Sequence, residues 1–326
     1  MGRGGHVPAA APTSIGETAM LGFIARRALQ SAVAIIGLLV LVFVLTRLTG
    51  DPAALFLPLD SSLEARQEFN RLNGFDQPIY LQFLAYLGDL ARLDFGMSLR
   101  QNRPAMEVAL AAFPHTLQLA FIAIALATVL AIVVGSIAAA RPGGLFDRVA
   151  SLVSLAGASA PDFWVAIVAV LVFAVGLGIL PTSGTGGPLY WIMPIGVLVL
   201  RPFGLLTQVV RGTMIGTLST PYVKTARAKG VGPFNIIFKH GLRNAVLPVV
   251  TVAGDLAASL VNGAVVVETI FGWPGIGKLM IEAITQRDFA VVQATILVTA
   301  CAIFILNIAI DLTYALLDPR IRRQTT

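Results

Sequence analysis

The chain has 326 residues, of which 56% are apolar and only 12% charged, and its mean hydropathy is +0.83. Soluble domains carry roughly a quarter charged residues, so this composition cannot cover a water-facing surface and excludes an ordinary soluble fold. The net charge of +6 and pI near 9.9 do not signal nucleic-acid binding, because no basic groove interleaved with aromatic residues is present.

The apolar residues gather in runs long enough to cross a hydrocarbon core of about 30 Å, which takes roughly 20 helical residues. Helices satisfy their own backbone groups in lipid, and the short alternating segments of a barrel are absent. The expected fold class is therefore an all-α membrane protein. Six transmembrane helices are expected, over 28–48, 115–140, 150–180, 190–211, 246–268 and 289–317. Residues 1–19 are rich in Gly, Pro and Ala and are expected to form a disordered N-terminal extension. Met20 opens a more plausible approach to the membrane, so 20–326 is read as the transmembrane domain. The apolar run after Arg26-Arg27 is too long for a cleaved signal peptide and reads as a retained helix.

With the N-terminus inside, fourteen Lys and Arg residues fall on the cytoplasmic side and seven outside. Five of those seven sit in one long loop, which weighs less in the positive-inside rule. Both termini are therefore expected in the cytoplasm. The long outer loop, 50–114, carries Tyr80, Phe83, Leu84, Leu87 and Leu90 at helical spacing, and a loop of that length is expected to fold.

Four charges lie within or near spans: Asp162, Arg201, Asp255 and Asp311. Charges in lipid are costly, so these are expected to face the bundle interior or a water-filled path. Arg201 and Asp255 either line a translocation path or pair with each other or with a partner subunit. The third span, at 150–180, is long for one crossing and is expected to tilt or to begin before the membrane.

The inner loop, 212–245, holds Ser219-Thr220-Pro221-Tyr222-Val223-Lys224-Thr225-Ala226-Arg227-Ala228-Lys229-Gly230. Thr220 suits an N-cap and Pro221 the first helical turn. Gly230 suits a left-handed position after the helix. A second short helix is expected from Phe234 to His240. On these residues alone, a basic interfacial loop held by anionic lipid explains the pattern as well as a functional element does.

Glu268, at the end of the fifth span, is expected either to meet a docked protein or to cap a helix. Gly272-Trp273-Pro274-Gly275-Ile276-Gly277-Lys278-Leu279 has the outline of a phosphate loop. However, Leu279 stands where a hydroxyl would hold Mg²⁺, and no buried strand precedes it, so a bracing loop at an outer gate is the better reading. Cys301 is the one cysteine, and His6, His115 and His240 are far apart, so neither a disulfide nor a metal site is expected. No Ser/His set, paired aspartates or His-Glu-x-x-His motif supports an intramembrane enzyme.

The inner loop resembles the EAA loop of ABC-importer permeases. Ala226 and Gly230 match the generic pattern, while Lys224-Thr225 replace Glu-Ala. The departures are those of the dipeptide/oligopeptide/nickel branch, which His240-Gly241-Leu242-Arg243-Asn244-Ala245-Val246-Leu247-Pro248 also resembles. Phe75-Asp76-Gln77-Pro78, Leu93-Asp94-Phe95-Gly96, Pro161-Asp162-Phe163-Trp164, Glu268-Thr269-Ile270-Phe271 and Asp311-Leu312-Thr313-Tyr314 look like further signatures of that branch, in order along nearly the whole chain.

The resemblance implies a type I permease-like bundle in the bacterial inner membrane. Tyr222, Thr225, Ala226, Arg227, Ala228, Lys229 and Gly230 would form a helix coupled to a cytoplasmic ATPase. It further implies a homologous second permease, two ATPase subunits and a periplasmic solute-binding protein. ATP and Mg²⁺ would be held by the ATPases, with no cofactor in this chain. Asp162, Arg201 and Asp255 would line the path, and Glu268 and Trp273 would lie at the outer gate or touch the binding protein. The rival is a stand-alone, proton-coupled secondary transporter, which would explain the buried acids but predicts inverted repeats that are not evident.

Overall fold

The computed structural model describes residues 29–30, 32–44, 53, 57, 61–72, 74–98 and 100–317. The expected extension 1–19, the start at Met20 and both ends of the first expected span lie outside the described residues. Among the described residues, regular structure is helical apart from one isolated bridge between Met97 and Pro104.

The elements, in order, are α1 (Ala32–Val44), α2 (Leu63–Leu72), α3 (Ile79–Ala91), α4 (Ala105–Ala140), α5 (Leu145–Ser159) and α6 (Asp162–Ala169). Then come α7 (Leu189–Leu218), α8 (Pro221–Ala228), α9 (Leu242–Ile270), α10 (Ile276–Thr285) and α11 (Phe289–Leu317). Two π-helical stretches, Val170–Gly176 and Asn235–Gly241, extend α6 and lead into α9. The long loop is folded in part, as its helical spacing predicts: α2 and α3 lie within it. Phe43 of α1 stacks on Phe83 and Tyr86 of α3, at centroid distances of 5.3 and 5.2 Å.

Among the described residues, three helices are long and apolar enough to cross a membrane unbroken: α4, α7 and the Phe289–Ile310 part of α11. The third expected span is not one tilted helix. It is α5 and the α6 stretch, bent by 103° at Ala160-Pro161. Proline drives the preceding residue out of helical geometry, and Ala160 accordingly sits at φ −71°, ψ 130°. The fifth expected span also differs. The short helix expected to end at His240 is instead a π stretch that runs into α9 through a 70° bend. The second expected span starts ten residues early, so α4 takes in the end of the expected outer loop.

The core sits around α7, the most enclosed of the three unbroken spans. α4 meets it with a seam of small residues: Ala123, Ala127, Ala131, Gly135 and Ala138 are all buried. Helices in lipid gain little by hiding apolar surface from each other, so close approach through small residues is what holds them. At Gly135 a Cβ would lie 2.8 Å from Val210 Cβ. On the opposite side, a Cβ on Gly204 would lie 2.3 Å from the Ser154 carbonyl oxygen, so α5 and α7 touch backbone to backbone.

We expect Gly204→Ala to destabilise the purified chain by about 1–3 kcal/mol, because the Ser154 carbonyl it would meet is backbone and cannot swing aside. Gly212→Ala, with nothing within 4 Å of its added Cβ, should behave as wild type. Thermal unfolding in detergent measures both, and equal values would refute the close-approach account.

Candidate functional site

Two opposite ends of the bundle carry the candidate residues. At one end, α8 forms where Pro221 presets the first turn, and Gly230 ends it with φ +81°. Val231 N–H reaches back to the Ala226 carbonyl at 3.2 Å, closing the turn. Thr220 occupies the N-cap position but does not cap. Its hydroxyl donates instead to the Thr217 carbonyl at 2.6 Å, stitching α8 to the end of α7. One side chain anchors α8: Val223 is fully buried among Met214, Leu218 and Ile236. Tyr222, Lys224, Thr225, Arg227, Ala228, Lys229 and Gly230 stay exposed, and Ala226 is half-buried. The Tyr222 hydroxyl donates to the His240 carbonyl at 3.3 Å, so α8 also braces the π stretch.

The intramembrane charges are only partly brought together. Asp162 is half-buried at the start of α6, within electrostatic reach of Arg201 on α7. Arg201 and Asp255 are exposed, and neither makes a hydrogen bond or ion pair to the other among the described residues. On α9 the exposed positions Pro248, Asp255, Ser259 and Gly263 recur about one or two helical turns apart, so they share a face. The side chain of Asp311 is outside those described.

At the other end, Glu268 is fully buried. Its Oε1 accepts from the Thr116 hydroxyl at 2.5 Å, and its Oε2 accepts from the N–H groups of Gly277 at 2.8 Å and Lys278 at 3.1 Å. Thr116 Oγ1 in turn accepts the Ile276 N–H at 2.9 Å. The first three N–H groups of α10, which have no partner inside their own helix, are thus satisfied by residues of α4 and α9. An anion at a helix N-terminus is also favoured by the helix dipole.

This geometry explains the phosphate-loop outline at 272–279. A glycine-rich turn opening a helix does cradle an anion here, and the anion is the chain's own carboxylate. A Cβ on Gly275 would fall 2.2 Å from Glu268 Cδ, and one on Gly277 2.6 Å from Val265 Cα. Trp273 is likewise buried, its Nε1 donating to the His115 carbonyl at 3.1 Å and its ring edge-on to Trp191 at 4.5 Å. Burial of both side chains does not fit direct contact with a docked protein. Of the readings open for Glu268 in the sequence, helix capping is the one the contacts realise.

Sequence reasoning missed two tertiary ties. Arg211 of α7 grips Asp147 of α5 with both Nε and Nη2, the latter at 2.9 Å. Ser98 Oγ donates to the buried Asp288 carboxylate at 2.7 Å, pinning the end of the long loop to the α10–α11 turn. Each pair is separated by 64 or 190 residues, so no local pattern marks it. Between α4 and the start of α10 lies a cavity of about 260 Å³ lined by Arg103, His115, Pro274, Gly275, Lys278 and Glu282 among others.

Residues 131–323 match the family described as binding-protein-dependent transport system inner membrane component. The di/tripeptide transport system permease protein DppB of Pseudomonas aeruginosa is 38% identical over 94% of this chain and all of its own length. The oligopeptide transport system permease protein AppB of Bacillus subtilis is 36% identical, covering 93% of this chain and 99% of its own. The glutathione transport system permease protein GsiC of Escherichia coli is 34% identical with the same coverage. Among solved structures, an inward-facing MetNI methionine ABC transporter chain superposes with a TM-score of 0.52 at 19% identity. It covers 68% of this chain and 97% of its own, a likeness of fold.

If Glu268 caps α10, Glu268→Ala will leave buried donors unpaired at about 1–3 kcal/mol for each group. Amide exchange at Gly277 and Lys278 should then accelerate, with Glu268→Gln falling between the two. Unchanged exchange at both amides would remove the capping assignment.

Proposed function

The chain belongs to the family of binding-protein-dependent transport system inner membrane components, and from that premise we propose that it is the permease subunit of an ATP-driven importer of dipeptides or oligopeptides. It is a multi-pass membrane protein, and the proposal gives it six crossings with both termini in the cytoplasm. Near-complete coverage of relatives named as peptide permeases supports the solute class. Glutathione stays within the same chemistry, since GsiC is also a relative.

One observation carries the mechanism. α8 presents an exposed, basic, glycine-terminated face while a single buried valine ties it to the core. Such a helix is surplus to the bundle's own packing, which supports a role for it in engaging a cytoplasmic ATPase. Closure of two ATPase subunits would push α8 and swing α7 and α9 behind it. Nucleotide and Mg²⁺ belong to those ATPases in this reading. The glycine cradle at 275–278, already filled by Glu268, leaves no room for phosphate.

The translocation path would form against a homologous second permease. Exposed Arg201 and Asp255, with Asp162 near Arg201, are suited to meet the charged ends of a peptide. The Glu268–Thr116–α10 interlock would brace the outer gate, and a solute-binding protein would dock on the surrounding exposed loops. A stand-alone carrier leaves α8 without a role.

Purification of the tagged chain in mild detergent should recover a second permease and ATPase subunits. Gly230→Val forces a β-branched residue into left-handed geometry, and Ala228→Trp adds bulk to the exposed face of α8. Both should lose the ATPases and keep the second permease. A chain recovered alone that moves peptide into proteoliposomes without ATP would overturn the importer reading. In the intact system, Arg201→Ala should lower peptide uptake several-fold at normal expression, and wild-type uptake would remove Arg201 from the path.

A further inference from the structure

Resting on the importer reading, we infer that Asp147 and Arg211 are a positioning pair that makes α5, and the bent span it begins, follow α7 when the coupling helix moves. α7 ends at Leu218, and α8 starts at Pro221. Val223 of α8 packs against Val210, Met214 and Leu218, so a push on α8 is felt in the last turns of α7. Arg211 stands in those turns.

Its guanidinium forks onto the Asp147 carboxylate, with Nε on Oδ1 and Nη2 on Oδ2. The Gly143 N–H donates to the same Oδ2 at 2.7 Å, which fixes the carboxylate against the turn before α5. Asp147 is 3% exposed and Arg211 28%, so water competes little on the acid's side. A planar two-point grip resists both sliding and rotation, which one point charge does not.

The grip closes a longer seam. Gln208 Nε2 donates to the Ser151 carbonyl at 3.3 Å. Gly204 lies on the Ser154 carbonyl, and a Cβ on Gly157 would lie 3.0 Å from the Leu200 carbonyl oxygen. The glycine contacts bring the helices close, but they include no side-chain hydrogen bond or ion pair to fix the register between them. The ion pair sits at the end nearest α8, where displacement enters. Beyond the 103° bend, Ala166 of α6 is buried in the cluster that holds Trp273. A body made of α7, α5 and α6 therefore runs from the coupling helix to the Glu268 end. Arg71–Glu68, Arg103–Glu107 and Lys278–Glu282, by contrast, join residues three or four apart.

The test uses the complex purified with its ATPases, carrying Leu152→Cys on α5 and Leu205→Cys on α7 in a Cys301→Ser background. Spin labels at those two sites report the α5–α7 distance without nucleotide and after trapping with ATP and vanadate. The expected result is one narrow distance, unchanged on trapping. In Asp147→Asn/Arg211→Gln, which leaves no unpaired charge, trapping should shift or broaden it by about 2 Å, the scale of helix displacements in packed assemblies. A purely structural ion pair predicts that this double neutral variant matches the unsubstituted complex, and that match would overturn the inference. A wild-type distance that changes on trapping would overturn it too. Should the double variant assemble poorly, Arg211→Lys keeps the charge, loses the fork and is expected to show the same broadening; a wild-type distance in that variant would overturn the inference. Recovery of the unsubstituted chain without ATPases would instead overturn the importer reading and take this inference with it.

Discussion

Helices already in lipid have no water to flee, so this bundle depends on how closely its backbones can approach α7. The residues that permit the approach are small and spaced along one face: Ala123 to Ala138 on α4, Gly157 on α5 and Gly204 on α7. At Gly135, Gly157 and Gly204 an added Cβ would meet backbone or a neighbouring side chain, and the alanines bring only a single methyl to the contact. Long apolar residues such as Phe121, Leu152 and Phe163 turn outward and stay exposed. The usual inside-out logic of soluble folds is thus partly inverted, with small residues within and large ones at the periphery.

Packing of that kind leaves few polar contacts, and the few that exist lie at the ends. Two buried acids share one device. Glu268 accepts from backbone N–H groups at the start of α10, and Asp147 accepts from Gly143 beside the start of α5. In both, backbone N–H groups at or just before a helix start make a local home for negative charge. Each acid also reaches a second helix, Thr116 of α4 or Arg211 of α7, and so turns a cap into a joint.

The two ends therefore differ in kind. One is closed: Glu268, Thr116, Trp273 and the glycine turn fill their own space and satisfy their own donors. The other is open: α8 exposes nearly every residue except Val223. A closed, interlocked end suits a gate that must hold, and an exposed end suits a surface that awaits a partner. Between them lie Arg201 and Asp255, exposed charges in spans where lipid contact would be costly, as the proposed translocation path requires.

Composition and long apolar runs determined the all-helical membrane fold class, because crossing a bilayer constrains every residue of a run at once, and the ordered motifs around the inner loop carried the resemblance to the family. The α8 segment was also legible, since a Pro start, a Gly stop and an intervening helical run act locally. The break at Ala160-Pro161 needed only the proline rule, yet the apolar run across it disguised two helices as one. What only the tertiary structure decided were contacts between distant residues. Glu268 could have met a partner or capped a helix, and its burial against Thr116 and α10 selected the cap. Gly275 and Gly277 looked like half a phosphate site until the carboxylate was seen in their cradle. Asp147 and Arg211 carried no mark of each other at all. Local rules act through neighbours in sequence, whereas a buried charge is placed by whichever distant donors the packed helices bring to it.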